Sequence, residues 1–230
     1  MRLLALDTTA RAGSVALAQD GAIVDARVGD ASRTHGERLP GDVLNLLSAR
    51  GLAPADIDLY AVAAGPGSFT GLRVGIACIQ GFALSAGRRV VAVSALDALA
   101  LAAQPAAADG FVAAWIDAHR GEIFAALYSG LIVVEEPIVA TPARTLELWR
   151  ERLADRAVLA IGDGAVRYAD ALRALGARLR APEPTAPMLA PAIAALAERE
   201  AAAGRTIAPH AIVPIYIRRP DAELARHAHR

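Results

Sequence analysis

Residues 3–28 read LLALDTTARAGSVALAQDGAIVDARV. Leu3–Thr9 alternates at period 2 and ends in the polar run Asp7-Thr8-Thr9, which predicts a strand with an acid at its C-terminal end. Gly13 supplies a tight turn into a second strand, Ser14–Ala18. Asp20-Gly21 between two apolar runs is a strong hairpin signal and leads to a third strand, Ala22–Val28. Residues 111–139, FVAAWIDAHRGEIFAALYSGLIVVEEPIV, repeat that order. Phe111–Asp117 is the strand, Glu122–Tyr128 and Leu131–Val139 form the hairpin around Ser129-Gly130, and Asp117 takes the place of Asp7.

Each meander is followed by alternating helices and strands. In the first half, Thr34 with Glu37 makes a capping box. Leu39, Val43, Leu46 and Leu47 then share one face of a helix closed by Gly51. Pro40 is expected to kink that helix or to mark its true start. Strand Leu59–Ala64, a Gly-rich turn, helix Leu72–Ala86, strand Arg89–Val93 and a helix capped by Ser94 complete the unit. Gln104–Gly110 reads as a linker. In the second half, Thr141-Pro142 opens a helix to Ala154. Strand Ala157–Ile161, a helix through Leu175, strand Arg178–Arg180 and helix Met188–Ala203 follow. The expected division is an N-terminal lobe over 1–104, a C-terminal lobe over 111–208, and an extended segment and tail over 209–230. A doubly wound nucleotide-binding sheet would alternate from its first strand. The repeated meander instead predicts an α/β protein of duplicated ribonuclease-H-like architecture, the actin, sugar kinase and heat-shock ATPase fold with two facing lobes.

Composition excludes several chemistries. All 24 basic residues are arginine and they balance 24 acids, so the formal net charge is zero. Without lysine there is no Walker A lysine, no kinase strand lysine and no Schiff base. Autonomous RNA binders carry a basic footprint, which this chain lacks, so direct RNA binding by the chain alone is not expected. The single cysteine, Cys78, can build neither a disulfide framework nor a thiolate zinc site. Apolar runs such as Val90–Ala103 are interrupted by Ser94 and Asp97, and none reaches the ~20 residues of a membrane span. A cytoplasmic globule is expected.

The turn Gly65-Pro66-Gly67-Ser68-Phe69-Thr70-Gly71-Leu72-Arg73-Val74-Gly75 joins a strand to a helix. Its glycines permit close backbone approach, Ser68 or Thr70 can cap the helix, and exposed N–H groups at such a turn can hold an anion. A purely structural turn fits the residues equally well. Taken whole, this string resembles the signature of the TsaB (YeaZ) family. Leu6-Asp7-Thr8-Thr9 with Ser14-Val15-Ala16-Leu17, His35 with Glu37 and Leu39-Pro40, Ile116-Asp117-Ala118 with Gly121-Glu122-Ile123-Phe124, and Pro214-Ile215-Tyr216-Ile217-Arg218 resemble the family's other elements. The resemblance covers nearly the whole chain and is loosest between Glu151 and Ala208. It implies a non-catalytic scaffold that pairs with the catalytic paralogue TsaD and the ATPase TsaE, which together transfer threonylcarbamoyl to the tRNA adenosine beside the anticodon. Isolated members are expected to self-pair.

Catalytic relatives hold a metal with two histidines four residues apart on one helical face. Here Leu39 follows His35 at that spacing and Trp115 precedes His119, so no metal site is expected. His227 and His229 fall in a charged tail. The resemblance leaves a weak nucleotide site as a candidate: Asp7 for magnesium through water, Thr8 and Thr9 for phosphates, Asp117 from the facing lobe. The alternative is that these residues cap strand ends and turns. No cofactor is expected to be required, although ATP or ADP with magnesium could lodge near a subunit interface. Helix Leu72–Ala86 is apolar nearly all round, which calls for a second neighbour. Leu39, Val43, Leu46, Gly75, Ile79 and Phe82 are the candidates for that partner surface. The rival readings are a stand-alone actin-like ATPase or kinase and a glycopeptidase-like protease. The second needs a nucleophile elbow, which Pro66 two residues before Ser68 does not allow.

Overall fold

The computed structural model describes residues 1–107, 110–154, 156–181 and 184–218. The expected tail beyond 218, with His227 and His229, lies outside the described residues, as do Ala108 and Asp109 of the expected linker. Strands β1 (Arg2–Asp7), β2 (Ser14–Gln19), β3 (Ala22–Val28), β4 (Leu59–Gly65) and β5 (Arg89–Ser94) form one sheet in the order β3-β2-β1-β4-β5. Strands β6 (Phe111–Asp117), β7 (Ile123–Ser129), β8 (Ile132–Ala140), β9 (Val158–Ile161) and β10 (Leu179–Arg180) form the other, in the order β10-β9-β6-β7-β8. The two orders are the same topology read from opposite edges. In each, the meander pairs antiparallel and the later strands join parallel. The duplicated fold read from the two meanders is therefore present.

Eight α-helices complete the described residues: α1 (His35–Ser48), α2 (Phe69–Ser85), α3 (Ala95–Ala107), α4 (Pro142–Leu148), α5 (Arg150–Leu153), α6 (Asp163–Arg167), α7 (Ala169–Leu172) and α8 (Ala190–Ala202). They make five layers with the sheets. Alternate side chains of a strand face opposite sides, and both sides are buried here. Leu4, Leu6, Tyr60 and Val62 face outward and are covered by α1 and α2. Phe111, Ala113, Trp115 and Leu127 face outward on the second sheet beneath Trp149, Leu153 and Leu172. The inward residues Leu3, Ala5, Ala61, Val112, Ala114 and Ile116 share one central core with α3 and α8.

That central layer is exchanged between the halves. The last helix of the second half, α8, packs on β1 and β2, while α3, from the first half, packs on β6 and β9. The Ser14 hydroxyl on β2 accepts the Ala190 N–H at the start of α8, 176 residues later, at 3.0 Å. Much of the chain's alanine sits here: Ala95, Ala98, Ala190, Ala194 and Ala197 are fully buried. Side chains this small let two helices lie between two sheets without splaying them.

Local differences from the sequence reading have physical causes. The Thr34–Glu37 capping box forms, so α1 begins at His35 and runs through Pro40. Pro40 is exposed, and its missing N–H leaves only the Gly36 carbonyl without a helical donor. The expected helix from Thr141 to Ala154 breaks at Trp149, whose backbone leaves the helical region (φ −91, ψ 2) as its indole is buried. The expected helix through Leu175 breaks at Tyr168 into α6 and α7. The linker's first half is helical, because α3 continues through Pro105 to Ala107. No helix among the described residues is long and apolar enough to cross a membrane.

Candidate functional site: the cleft between the lobes

The turn after β4 is built around its glycines. A Cβ on Gly75 would lie 2.2 Å from the Thr8 hydroxyl oxygen, and one on Gly71 would lie 2.2 Å from the Thr8 carbonyl oxygen. Gly67 faces the Thr9 side chain in the same way. A Cβ on Gly65, at φ +127, would lie 2.5 Å from the Ile215 carbonyl oxygen, a conformation and a closeness only glycine tolerates. Ser68 is the N-cap of α2: its hydroxyl accepts from the Gly71 N–H at 3.2 Å, and its own N–H donates to the Thr9 carbonyl at 3.1 Å. The glycines thus seat the Asp7–Thr9 turn on one side and a C-terminal strap on the other. Phe69 and Thr70 are exposed at the start of α2.

Of the four residues expected to hold a nucleotide, the structure brings Asp7 and Thr9 to one cavity and places Thr8 and Asp117 elsewhere. Asp7 is buried, and its Oδ1 accepts from the N–H of Thr9 at 2.8 Å and from its hydroxyl at 2.6 Å. Burial pushes the Asp7 carboxyl above its ordinary range, against those two bonds, and the nearby charge of Asp163 adds to the rise. Thr8 is fully buried against α2, and its hydroxyl has no hydrogen-bond partner. That corrects its expected place among phosphate ligands, because its side chain fills the space left by Gly75. Asp117 points elsewhere again. Its Oδ1 accepts from the His119 N–H at 3.0 Å and from the Tyr168 hydroxyl at 3.3 Å, and its Oδ2 lies 3.5 Å from Arg167 Nε.

Asp7 and Thr9 line a cavity of 200 Å³ together with Asp163, Leu99, Ile116 and Leu189. Small-molecule sites usually span about 300–1,000 Å³. Among the described residues that lining carries two carboxylates and no cation, an environment hostile to a polyphosphate. Burial pushes Asp163 upward as well, while the Asp117 N–H, donating to its Oδ1 at 3.0 Å, opposes the rise. Sequence reasoning missed Asp163. The available signal was Ile161-Gly162-Asp163-Gly164, a strand-to-helix glycine turn that repeats the place of Gly65 in the second half. A Cβ on Gly162 would lie 2.1 Å from the Trp115 carbonyl oxygen.

A larger cavity of 430 Å³ opens beside it, between the start of α2, the β6–β7 turn and the strap. Its walls include Pro66, Phe69, Asp117, His119, Arg120, Phe124, Tyr216 and Arg218. The strap crosses both lobes. Ile215 donates its N–H to the Ala64 carbonyl at 2.7 Å, and Arg73 Nε donates to the Tyr216 hydroxyl at 3.2 Å. At the other end, Arg218 donates to the Ala118 carbonyl at 2.9 Å and pairs with Glu122. His119 and Arg120 are consecutive non-glycine residues at positive φ (58 and 56). Such backbone costs about 1–3 kcal/mol per residue and tends to be kept where it serves a site.

The expected partner surface needs correction. Leu39, Val43, Leu46, Gly75 and Ile79 are buried in the first lobe's own core, and Phe82 is half-buried against it. The apolar stripe of an amphipathic helix is the face that covers its own sheet. What α1 and α2 present outward includes Pro40, Gly41 and Leu44 beside Glu37, Asn45 and Ser48 from one, and Ala77, Gly81 and Leu84 beside Arg73 and Ser85 from the other. Leu44 is 46% exposed and Leu84 is 59% exposed. Among the described residues no group of three His, Cys, Asp or Glu side chains could hold a metal ion. His35 is committed otherwise: Nε2 lies 3.1 Å from the Ala10 carbonyl and Nδ1 lies 3.1 Å from the buried Arg38 guanidinium.

Comparisons with known proteins agree with this architecture. The family described as TsaD, tRNA N6-adenosine threonylcarbamoyltransferase, matches residues 29–157. The tRNA threonylcarbamoyladenosine biosynthesis protein TsaB of Escherichia coli is 34% identical over 222 residues, 95% of each chain. The structure of YeaZ from Pseudomonas aeruginosa superposes with a TM-score of 0.76 at 30% identity, covering 94% of this chain and 99% of that one. The activator of the 2-hydroxyisocaproyl-CoA dehydratase from Clostridium difficile, solved with bound ADPNP, shares the fold at a TM-score of 0.57 and 13% identity over 89% of this chain and 97% of that one.

Proposed function

Because the chain belongs to the TsaB family of tRNA threonylcarbamoyladenosine biosynthesis proteins, we propose that it is the non-catalytic scaffold of the modification complex. In this reading it pairs with the transferase TsaD, and TsaE joins the pair. The observation that carries the reading is the outer face of α1 and α2, where Leu44, Ala77, Gly81 and Leu84 lie uncovered on two adjoining helices. Small residues on α2 admit a second helix at close range, and the two leucines supply the apolar area that association needs. The same face would serve self-pairing in the absence of the paralogue.

The interior of the chain supports a structural role. Asp7 is spent on Thr9, Thr8 on Gly75 and His35 on Arg38. In this reading a nucleotide used by the complex, ATP or ADP with magnesium, lodges at the joint between subunits and not beside Asp7. The test is reconstitution with TsaD, TsaE, the adenylate-forming enzyme and tRNA, with and without this chain. Leu84→Glu and Ala77→Glu should abolish co-purification with TsaD and modification together, with the monomer still folded. Equal modification without the chain would overturn the proposal.

A further inference from the structure

The strap along the wall of the 430 Å³ cleft is tied to both lobes. On the first lobe, Ile212 is buried in the outer core beside α2, and the Ile215 N–H donates to the Ala64 carbonyl at 2.7 Å. On the second, Arg218 donates to the Ala118 carbonyl at 2.9 Å, pairs with Glu122 and lies over the Phe124 ring at 5.8 Å. Ile217, between these ends, packs on the central core. A further fastening stands in the open. Arg73 Nε donates to the Tyr216 hydroxyl at 3.2 Å, and its guanidinium lies over the Phe69 ring at 3.9 Å from the centroid. The Phe69 and Tyr216 rings are 5.4 Å apart, and each is about two-fifths exposed.

Arg73, Ala77, Gly81 and Leu84 recur at helical spacing and are all exposed, so Arg73 begins the outward row of α2. One end of that row holds the strap, and the rest is the face assigned above to a partner. Water competes for the hydrogen bond and the cation–π contact at this open end, so the fastening is weak in the free chain. Excluding that water strengthens both. We propose that the strap is a latch between the lobes, coupled through Arg73 to occupancy of the outer face of α2. A partner seated on Ala77, Gly81 and Leu84 covers the Arg73–Phe69–Tyr216 cluster and tightens the latch, and a tightened latch favours the partner. The two states are Tyr216 fastened and Tyr216 released, and the burial of the cluster is the contact that distinguishes them. The inference deepens the proposed scaffold role and rests on it for the identity of the partner, TsaD.

The experiment is amide hydrogen exchange of the full chain, alone and paired with TsaD, read at the Ile215 N–H that bonds Ala64. Tyr216→Phe keeps the ring and removes the hydroxyl. In the free chain it should speed that exchange about 2–10-fold, the effect of one net hydrogen bond, with the melting temperature unchanged. Pairing should slow the exchange of the wild type by at least about fivefold. Tyr216→Phe should lose most of that slowing and bind TsaD more weakly by the factor it loses, because coupling is reciprocal. A partner that merely covers the strap would slow wild type and variant equally, and that result overturns the latch. So does pairing that leaves the wild-type exchange as it was. In both cases the scaffold reading stands. A chain that does not co-purify with TsaD at all overturns both.

Discussion

Alanine should have opposite effects at two glycines of α2. At Gly75 the new Cβ would sit 2.2 Å from the Thr8 hydroxyl oxygen and 3.1 Å from Thr8 Cβ and Cγ2, in a buried place. Overpacking of this kind costs about 1–3 kcal/mol. Helix propensity returns about 0.8–1.0 kcal/mol when glycine becomes alanine. The contact is severe enough to put the cost toward the top of its range, for a net loss of about 1–2 kcal/mol. For a chain of this length the melting midpoint should fall by about 2–8 °C. At Gly81, in the same helix, a Cβ meets nothing within 4 Å. Gly81→Ala should therefore raise the midpoint by about 2–4 °C. Both are read by thermal melting and urea unfolding of the purified protein. A double-mutant cycle with Thr8→Ala, which removes the obstructing oxygen, should recover at least about 1 kcal/mol of the Gly75→Ala cost. If Gly75→Ala stabilises the protein as Gly81→Ala does, the packing account of the signature glycines is wrong.

Further outcomes follow from the same contacts. Asp7→Asn keeps an oxygen to accept from Thr9 but cannot ionise. The folded Asp7 carboxyl titrates above its unfolded value, so its charge costs stability as pH rises through the folded value. The variant should therefore melt higher than wild type at neutral pH, with the difference closing as pH falls below the ordinary carboxylate range. For His35, burial lowers the folded value, so the unfolded chain binds the proton more readily. Stability should fall as pH drops below about 6.5, and His35→Gln should flatten that dependence in acid melting curves. Arg38→Ala removes a buried cation from the Ala12 carbonyl, His35 and Asp42, leaving that carbonyl unpaired, and should cost about 1–3 kcal/mol by urea unfolding. Gly65→Ala drives a Cβ into the Ile215 carbonyl and should free the strap, read as faster proteolysis between Ala211 and Arg218 with the sheets still protected in hydrogen exchange.

Much of this architecture was legible because its signals are local. Asp20-Gly21 and Ser129-Gly130 announce the hairpins, and Thr34 with Glu37 sets the start of α1. What the sequence could not display were distances across the chain. Gly71 and Gly75 answer to Thr8, more than sixty residues earlier, so the string looks like a ligand loop until its neighbours are seen. The leucine stripe of α1 was identified correctly as apolar, but periodicity cannot say whether a stripe faces its own sheet or another molecule. The outward face of α2, with Arg73, Ala77, Gly81 and Leu84, has no strong apolar pattern to mark it. Alternation in β1 likewise reveals two buried sides without revealing that the inner cover is α8.

The exchange of α3 and α8 also bears on synthesis. The first sheet can assemble once Ser94 is available, yet its inner face waits for Ala190–Ala202, about a hundred residues later. At roughly 5–20 residues per second the ribosome leaves that face uncovered for about 5–20 s. During that interval the nascent chain displays, over β1 and β2, an alanine- and leucine-lined sheet surface that α8 later closes. A chain truncated before α8 should therefore be a substrate for chaperones or proteases and not a stable N-terminal half.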